Sequence, residues 1–99
     1  MSKGGRRERE IGAKSLDTVF QPEFIEDLDY WVKENVKTAE KILRLIEDIK
    51  KNPFIGLGKP EHVKYLGPDV WSRRITQEHR IVYKVSADRI DFLQCRYHY

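Results

Sequence analysis

A chain of 99 residues makes one small domain, and 39% hydrophobic against 35% charged residues is the composition of a globular protein. No apolar run approaches the roughly 20 residues that a membrane-spanning helix needs, and the basic N-terminus lacks the apolar stretch of a signal peptide. We therefore expect a soluble protein of the cytoplasm. The single cysteine, Cys95, excludes an internal disulfide and is predicted to be a small core residue.

The formal charge of +3 is unevenly distributed along the chain. Residues 1–15 and residues 59–99 each carry +3, whereas residues 16–58 carry −3. A basic C-terminal part with interleaved aromatic residues suits a polyanion such as RNA. The alternative is a solvated basic face kept for solubility, which explains most chains with so small a net charge.

The first 15 residues, MSKGGRREREIGAKS, are rich in glycine and charge and offer almost nothing to a hydrophobic core. We predict a flexible basic extension over residues 1–15 and one folded domain over residues 16–99. A basic arm for nucleic acid is the alternative function of the extension.

The next segment predicts a short strand and two amphipathic helices. LDTVFQ at residues 16–21 alternates as a strand does, and Pro22 suits the first turn of a helix that extends to about Asn35. Thr38 is the predicted N-cap of a second helix that ends at Lys51. The apolar residues expected to face the core are Phe24, Leu28, Trp31 and Val32 on the first helix and Ala39, Ile42, Leu45, Ile46 and Ile49 on the second.

The C-terminal half predicts a sheet. PFIGLGKPE at residues 53–61 is a loop, because its prolines and glycines interrupt regular structure. Segments that alternate with period two follow at residues 70–77, 79–86 and 89–96, with a shorter one at 62–66. The short joints between these segments predict hairpins and hence an antiparallel meander.

Side-chain alternation in the strand at residues 79–86 predicts two different faces of this sheet. Ile81, Tyr83 and Val85 share one face, which can take the helices. Arg80 lies on the other face, which is expected to stay uncovered. The pattern therefore predicts a two-layer α+β domain, in which a short N-terminal strand and a helical hairpin pack on a twisted antiparallel sheet.

Metal and nucleotide sites find little support. The three histidines, His62, His79 and His98, come without a cysteine pair or a helical two-histidine motif, so metal-ligand spacing is absent. The GLGK stretch lacks the spacing of a phosphate loop. We predict no metal and no cofactor.

RNA cleavage requires a base for the 2′-hydroxyl proton, an acid for the leaving 5′-oxygen and cations for the phosphate. Groups of these types lie in the predicted loop, on the open face and among the last residues: Glu61, Lys64, Arg74, Arg80, Arg96 and His98. Spacing alone does not bring them together. Each also has an ordinary interpretation as a solvated loop or surface residue.

Three stretches resemble a known family: KNPFIGLGKPEHVKYL, WSRRITQEHRIVYKV and CRYHY. In them, and in YWVKE of the first helix, the chain closely resembles the YoeB (Txe) toxin family within the RelE-like superfamily. The resemblance extends from about Leu16 to Tyr99 without an obvious insertion. It implies the RelE-like microbial ribonuclease fold, a helical hairpin on an antiparallel sheet.

The resemblance implies the toxin of a type II toxin–antitoxin pair, a ribosome-dependent endonuclease that cuts mRNA in the A site and so inhibits translation. Attack by the 2′-hydroxyl would leave a 2′,3′-cyclic phosphate and a 5′-hydroxyl, without metal or cofactor. The alternative is a non-catalytic module on the same fold that binds RNA or an antitoxin.

Site residues follow from the same resemblance. Glu61 matches the family's general base, Arg80 its phosphate-binding arginine and His98 its general acid. Tyr99 matches the terminal tyrosine that orients the substrate. Lys64 and Arg74 match further basic positions, and the basic pattern adds Arg73 and Arg96 as predicted RNA-binding residues. His79, beside Arg80, is the alternative for the acid role; residue matching favours His98, and His79 is predicted to be a further RNA-binding residue.

The resemblance also implies partners. A cognate YefM-like antitoxin would wrap the toxin with a largely unstructured C-terminal segment. The ribosome and mRNA would be the other partners, the toxin itself is expected to form a homodimer, and no membrane is expected to take part.

Overall fold

The computed structural model describes residues 16–97. The predicted extension at residues 1–15 lies outside this range, as do His98 and Tyr99. No helix in the range is long and apolar enough to cross a membrane. In chain order the elements are β1 (Asp17–Phe20), α1 (Pro22–Glu34), α2 (Val36–Lys51), β2 (Glu61–His62), a 3₁₀ helix (Lys64–Leu66), β3 (Val70–Arg74), β4 (Arg80–Val85) and β5 (Arg89–Gln94).

The five strands form one sheet in the order β1-β5-β4-β3-β2. The three pairs among β2, β3, β4 and β5 are antiparallel, as the meander predicts. The β1 strand pairs with β5 in parallel, from Asp17 opposite Arg89 to Phe20 opposite Phe92, so the sheet is mixed. Two helices on such a sheet confirm the predicted α+β class.

Both helices begin and end for local reasons. Pro22 occupies the first turn of α1. The Asn35 side chain accepts a hydrogen bond from the Thr38 backbone N–H, at 3.2 Å, so Asn35 is the N-cap of α2 and the prediction of Thr38 was wrong. The reason is that an Asn side chain at Asn35 reaches the third N–H of a helix that already begins at Val36.

The predicted apolar stripe of α2 is confirmed, because all five of its residues are buried. On α1, Phe24 and Trp31 are buried and Leu28 packs against the core, whereas Val32 is 54% exposed. The main core lies between the helices and one face of the sheet. Its buried members are Phe24, Trp31, Ala39, Ile42, Leu45, Ile46, Ile49, Ile75, Ile81, Tyr83, Ile90, Phe92 and Cys95.

The opposite face of the sheet is partly covered rather than open. Val63, Val70 and Val82 form a second buried cluster there, against which Leu93 packs. Val63 reaches it because its N–H donates to the carbonyl of Val70 at 2.8 Å, which folds the segment after β2 over the sheet.

Two predicted strands are shorter than their sequence pattern. The β3 strand ends at Arg74 because Ile75 N–H donates to the His79 carbonyl and the Thr76 hydroxyl accepts from the His79 N–H, which closes a turn. In the predicted strand at residues 62–66, only His62 lies in a strand, and a 3₁₀ turn follows.

Candidate active site

Strand register places Glu61 and Arg80 on the same face of the sheet. Glu61 pairs with Ser72, and Ser72 pairs with Val82, so the three side chains point to one side. Arg80 lies two residues before Val82 on the same strand and shares that side. Two strand spacings and two residue steps put about 12 Å between the Cα atoms of Glu61 and Arg80. The two residues therefore lie on the same face of the sheet, two strands apart.

Arg80 is held in place by the turn that precedes it. Its Nη1 donates to the carbonyl oxygens of Thr76, Gln77 and His79 at 2.9, 3.0 and 3.2 Å, and the residue is only 8% exposed. Among the described residues these contacts engage Nη1 alone, so Nε and Nη2 keep their donors for an anion. Arg80 lies on the predicted face, but it is far more buried than a freely solvated cation.

Glu61 is exposed and lines a recess of about 390 Å³ together with Lys64. Arg74, also exposed, pairs with Arg80 across β3 and β4 and so lies on the same face. His62 is held beside Glu61 by stacking on Trp71, with 5.2 Å between ring centroids. Glu61 thus shares this part of the face with three cations, those of Lys64, Arg74 and Arg80.

Arg73 occupies the interior, and its predicted RNA contact is corrected here. The residue is 0% exposed, and all five of its donor hydrogens are used. Nε donates to the Tyr83 hydroxyl, and Nη1 and Nη2 donate to the Asp48 carboxylate and to three loop carbonyls, those of Asn52, Ile55 and Leu57. A side chain without exposed surface or free donors cannot bind RNA in this structure.

The Arg73 network fixes the loop that leads to Glu61. Tyr83 adds a hydrogen bond of 2.6 Å to the Pro53 carbonyl, and Asp48 accepts from the Leu57 N–H at 2.9 Å. The hydrogen bond from Leu57 and the ion pair with Arg73 lower the pKa of the Asp48 carboxyl, whereas burial raises the pKa of Tyr83. We therefore assign Arg73 a positioning role: it organises the loop from the inside.

The segment after β5 is docked against α1 and the start of β4. Trp31 Nε1 donates to the Cys95 carbonyl at 2.9 Å, and the Cys95 N–H donates to the Asp27 carboxylate at 3.0 Å. Burial raises the pKa of Asp27, although this hydrogen bond and nearby Arg96 oppose that shift. Cys95 is buried, as predicted, and burial raises the pKa of its thiol.

His79 and Arg80 hold the next residue of that segment. The Tyr97 N–H donates to His79 Nδ1 at 2.6 Å, and the Arg80 N–H donates to the Tyr97 carbonyl at 3.2 Å. The His79 ring in turn meets the edge of Trp31, with 4.8 Å between centroids. These contacts give His79 a role in docking the chain, while its contact with RNA stays a prediction.

Arg96 joins the same docking arrangement. Its guanidinium carbon lies 3.5 Å from the centre of the Tyr30 ring and 4.6 Å from that of Tyr97, and Nη2 donates to the Tyr97 hydroxyl. The predicted RNA contact of Arg96 is untested. The two residues that follow Tyr97, the predicted acid His98 and the predicted orienting residue Tyr99, lie outside the described residues.

The arrangement has the groups that acid–base cleavage of RNA needs, apart from those beyond Tyr97. Glu61 is an exposed carboxylate, and Arg80 is a fixed guanidinium on the same face. Residues 16–97 contain no group of three or more potential metal ligands. Sequence reasoning missed the docking by Asp27, Tyr30 and Trp31, because contacts between α1 and the end of the chain have no local signal.

The chain is similar to known proteins of one toxin family. A family model for the YoeB-like toxin of bacterial type II toxin-antitoxin systems matches residues 20–99. Toxin YoeB of Escherichia coli K12 is 43% identical over 84 residues, which cover 85% of this chain and 100% of the relative. Toxin YoeB of Mycobacterium bovis is 45% identical over 80 residues, which cover 81% of this chain and 94% of the relative.

Solved structures show the same fold. The YoeB/ParE toxin from Agrobacterium tumefaciens matches with a TM-score of 0.78 at 42% identity, covering 85% of this chain and 100% of that one. A YoeB dimer from Staphylococcus aureus matches with a TM-score of 0.78 at 38% identity, covering 86% of this chain and 99% of that one. A YoeB–YefM complex from the same species matches with a TM-score of 0.73 at 41% identity, covering 85% and 98%. With the family model covering most of its length, the chain belongs to the YoeB-like toxins of bacterial type II toxin–antitoxin systems.

Proposed function

We propose that this toxin is a ribosome-dependent endonuclease that cuts mRNA in the ribosomal A site, in the cytoplasm, and thereby stops translation. The observation that carries the proposal is the strand register, which puts Glu61 and the partly anchored Arg80 on one face. A second observation supports the proposal: the Tyr97 carbonyl accepts a hydrogen bond from the Arg80 N–H, and the proposed acid His98 is the next residue in the sequence.

In the proposed reaction, Glu61 takes the proton from the 2′-hydroxyl, and the 2′-oxygen attacks the phosphorus. The bond from phosphorus to the 5′-oxygen breaks, and His98 donates a proton to that leaving oxygen. Arg80 stabilises the negative charge that develops on the phosphate, and Tyr99 orients it. The products are a 2′,3′-cyclic phosphate and a 5′-hydroxyl, and the proton transfers use only side chains of this protein.

Lys64 and Arg74 would bind flanking phosphates, since both are exposed cations beside Glu61 and Arg80. Arg73 takes no part in RNA binding. Its role in the proposed site is to fix the loop before Glu61, through its hydrogen bonds to Asn52, Ile55 and Leu57.

A cognate YefM-like antitoxin is the proposed inhibitory partner, and a homodimer is the proposed form of the free toxin. Related toxins support both, since Staphylococcus aureus YoeB has been solved as a dimer and in complex with YefM. An antitoxin segment lying across Glu61 and Arg80 would block access to the message.

A purified translation system tests the catalytic roles. Glu61→Gln and His98→Gln should each bind ribosomes like the wild type but cut mRNA about 10² to 10⁴ times more slowly, because each removes one proton-transfer group. Lys33→Gln is the control, since Lys33 is exposed and pairs with Asp29 on the same helix. Equal cutting by the wild type and both variants would overturn the assignment. A wild type that binds ribosomes without cutting would instead favour the non-catalytic binding module.

A further inference from the structure

A second group of basic residues lines a recess beside α2, separate from the recess that Glu61 lines. A recess of about 500 Å³ separates α2 from the turn that joins β3 to β4, and the loop before β2 closes its third side. Four exposed cations line it: Lys41 and Arg44 from α2, Lys59 from the loop and Arg74 from the end of β3. None of the residues that line it is acidic.

The absence of acidic residues among the lining residues is unusual for this part of the chain. Residues 16–58, which supply Lys41 and Arg44, carry a net charge of −3. Four like charges around one recess repel one another, and an anionic ligand relieves that repulsion. The recess therefore has the electrostatic character of an anion site.

The loop side of the recess is built at a conformational cost. Lys59 has φ 51°, a left-handed conformation that is unfavourable for a residue with a Cβ atom. Glycine precedes it at Gly58, whose added Cβ would lie 2.9 Å from the Arg74 carbonyl oxygen, and the Gly58 carbonyl accepts from Arg74 N–H at 2.6 Å. Lys59 thus lines the recess in a backbone conformation where glycine would be less strained.

The other walls are also fixed. Lys41 Nζ donates to the Ile75 carbonyl at 2.5 Å, which ties α2 to the turn. Leu45 and Ile75 form the floor, but they are only 2% and 0% exposed. Leu57, which also lines the recess, is 58% exposed, so the recess combines four cations with one exposed apolar side chain. Four cations without a carboxylate among the lining residues favour a phosphate group as the ligand.

We propose that this recess binds a backbone phosphate of the RNA substrate outside the cleavage site, with Arg44 and Lys59 as its main contacts. Arg74 connects the two sites, because it lines the recess and also pairs with Arg80 on the face that carries Glu61. The inference rests on the proposed RNA substrate and extends it to a second anchoring point.

RNA binding without cleavage tests this site. The protein carries Glu61→Gln to prevent cutting, and its affinity for a short unstructured RNA is measured by fluorescence anisotropy at several salt concentrations. Arg44→Gln with Lys59→Gln should weaken binding roughly tenfold at low salt and reduce the slope of log affinity against log salt by about 1.4 for two lost contacts. The control, Lys33→Gln with Lys37→Gln, removes the same charge from exposed positions that do not line the recess. It should leave affinity and slope nearly unchanged.

Lys59→Gly gives a second readout. Because glycine tolerates φ 51°, this variant should keep the wild-type Tm or exceed it while binding RNA more weakly. If Lys59 only supported the loop, Lys59→Gly would not weaken RNA binding while keeping the wild-type Tm.

The proposal is overturned if the recess pair and the control pair weaken RNA binding equally, or if neither does. It is also overturned if the recess pair weakens binding only to the antitoxin. These failures are separate from failure of the proposed function, because the assay contains no ribosome and measures no cleavage.

Discussion

Two neighbouring arginines have different roles because their side chains lie on opposite faces of the sheet. Arg73 and Arg74 follow each other on β3, yet the first is fully buried and the second is exposed. Strand alternation accounts for the difference, since Trp71, Arg73 and Ile75 all contribute to the side that faces the helices. The same alternation could have been read from the sequence, but the basic pattern added Arg73 to the predicted RNA-binding residues, beside Arg74, which the family resemblance had already implied.

Replacing these arginines should have very different effects on stability. Arg73→Met should lower the free energy of unfolding by about 3 to 5 kcal/mol, because it leaves the Asp48 carboxylate and several loop carbonyls without their donor. Arg74→Met should change it by less than about 0.5 kcal/mol. Urea denaturation followed by tryptophan fluorescence measures both. Similar losses for the two variants would contradict the network.

At His79, the hydrogen bond that the ring accepts can be tested separately from the packing of the ring against Trp31. The His79 Nδ1 accepts from the N–H of Tyr97, the residue immediately before the proposed acid His98. His79→Asn keeps an acceptor near the position of Nδ1, whereas His79→Gln moves the amide toward the position of Nε2.

We expect His79→Asn to keep cleavage within a few-fold of the wild type and His79→Gln to lose about 10² in kcat, as a misplaced reacting group does. Both variants lose the ring contact with Trp31, so each is the other's control for packing. Single-turnover cutting of ribosome-bound message is the measurement. If the two variants cut equally, the hydrogen bond to Tyr97 does not position the end of the chain.

At the scale of elements, the loop from Asn52 to Glu61 depends on α2 and β3 together. Asp48 on α2 and Arg73 on β3 form an ion pair inside it, and Gly56 passes so close that an added Cβ would lie 3.0 Å from Arg73 Nη1. The sequence predicts a loop here from its prolines and glycines. It does not predict the order of the loop, because that order comes from side chains of other elements, those of Asp48, Arg73 and Tyr83, which lie 9 to 30 positions from the loop residues that they contact.

This ion pair predicts how stability responds to acid. The pKa of Asp48 is lowered in the folded protein, so its contribution is complete above the usual carboxyl pKa of about 3.9 and is lost as the pH falls through the lower folded value. The free energy of unfolding of Asp48→Asn should therefore lie below that of the wild type at neutral pH, and the gap should narrow below about pH 4. Urea titrations across this range measure the gap. If the difference in free energy of unfolding stays constant or widens in acid, the folded protein does not favour the ionised form of Asp48.

Most elements, but not all of their connections, could be predicted from the sequence. The α2 stripe and the antiparallel pairs followed from local periodicity. The parallel pairing of β1 with β5 did not, since it joins residues more than 70 positions apart. Asn35 was missed as a cap because Thr38, three residues later, is also a good capping type.

At the scale of the whole molecule, the fold brings Glu61 and Arg80 onto one face from distant segments. Glu61 comes from the edge strand and Arg80 from the centre of the sheet, and Tyr97, from beyond β5, is bonded to the Arg80 N–H. Register shows that Glu61 and Arg80 share a face, which spacing in the sequence could not show. The roles of His98 and Tyr99 come from family resemblance alone.

The central claim is most directly tested by mapping where, and with which ends, a defined message is cut during translation. The account predicts cuts within the A-site codon that carry a 2′,3′-cyclic phosphate and a 5′-hydroxyl, that require ribosomes, and that disappear with Glu61→Gln. Cutting of free message at the same rate, or ends with a 5′-phosphate and a 3′-hydroxyl, would contradict it.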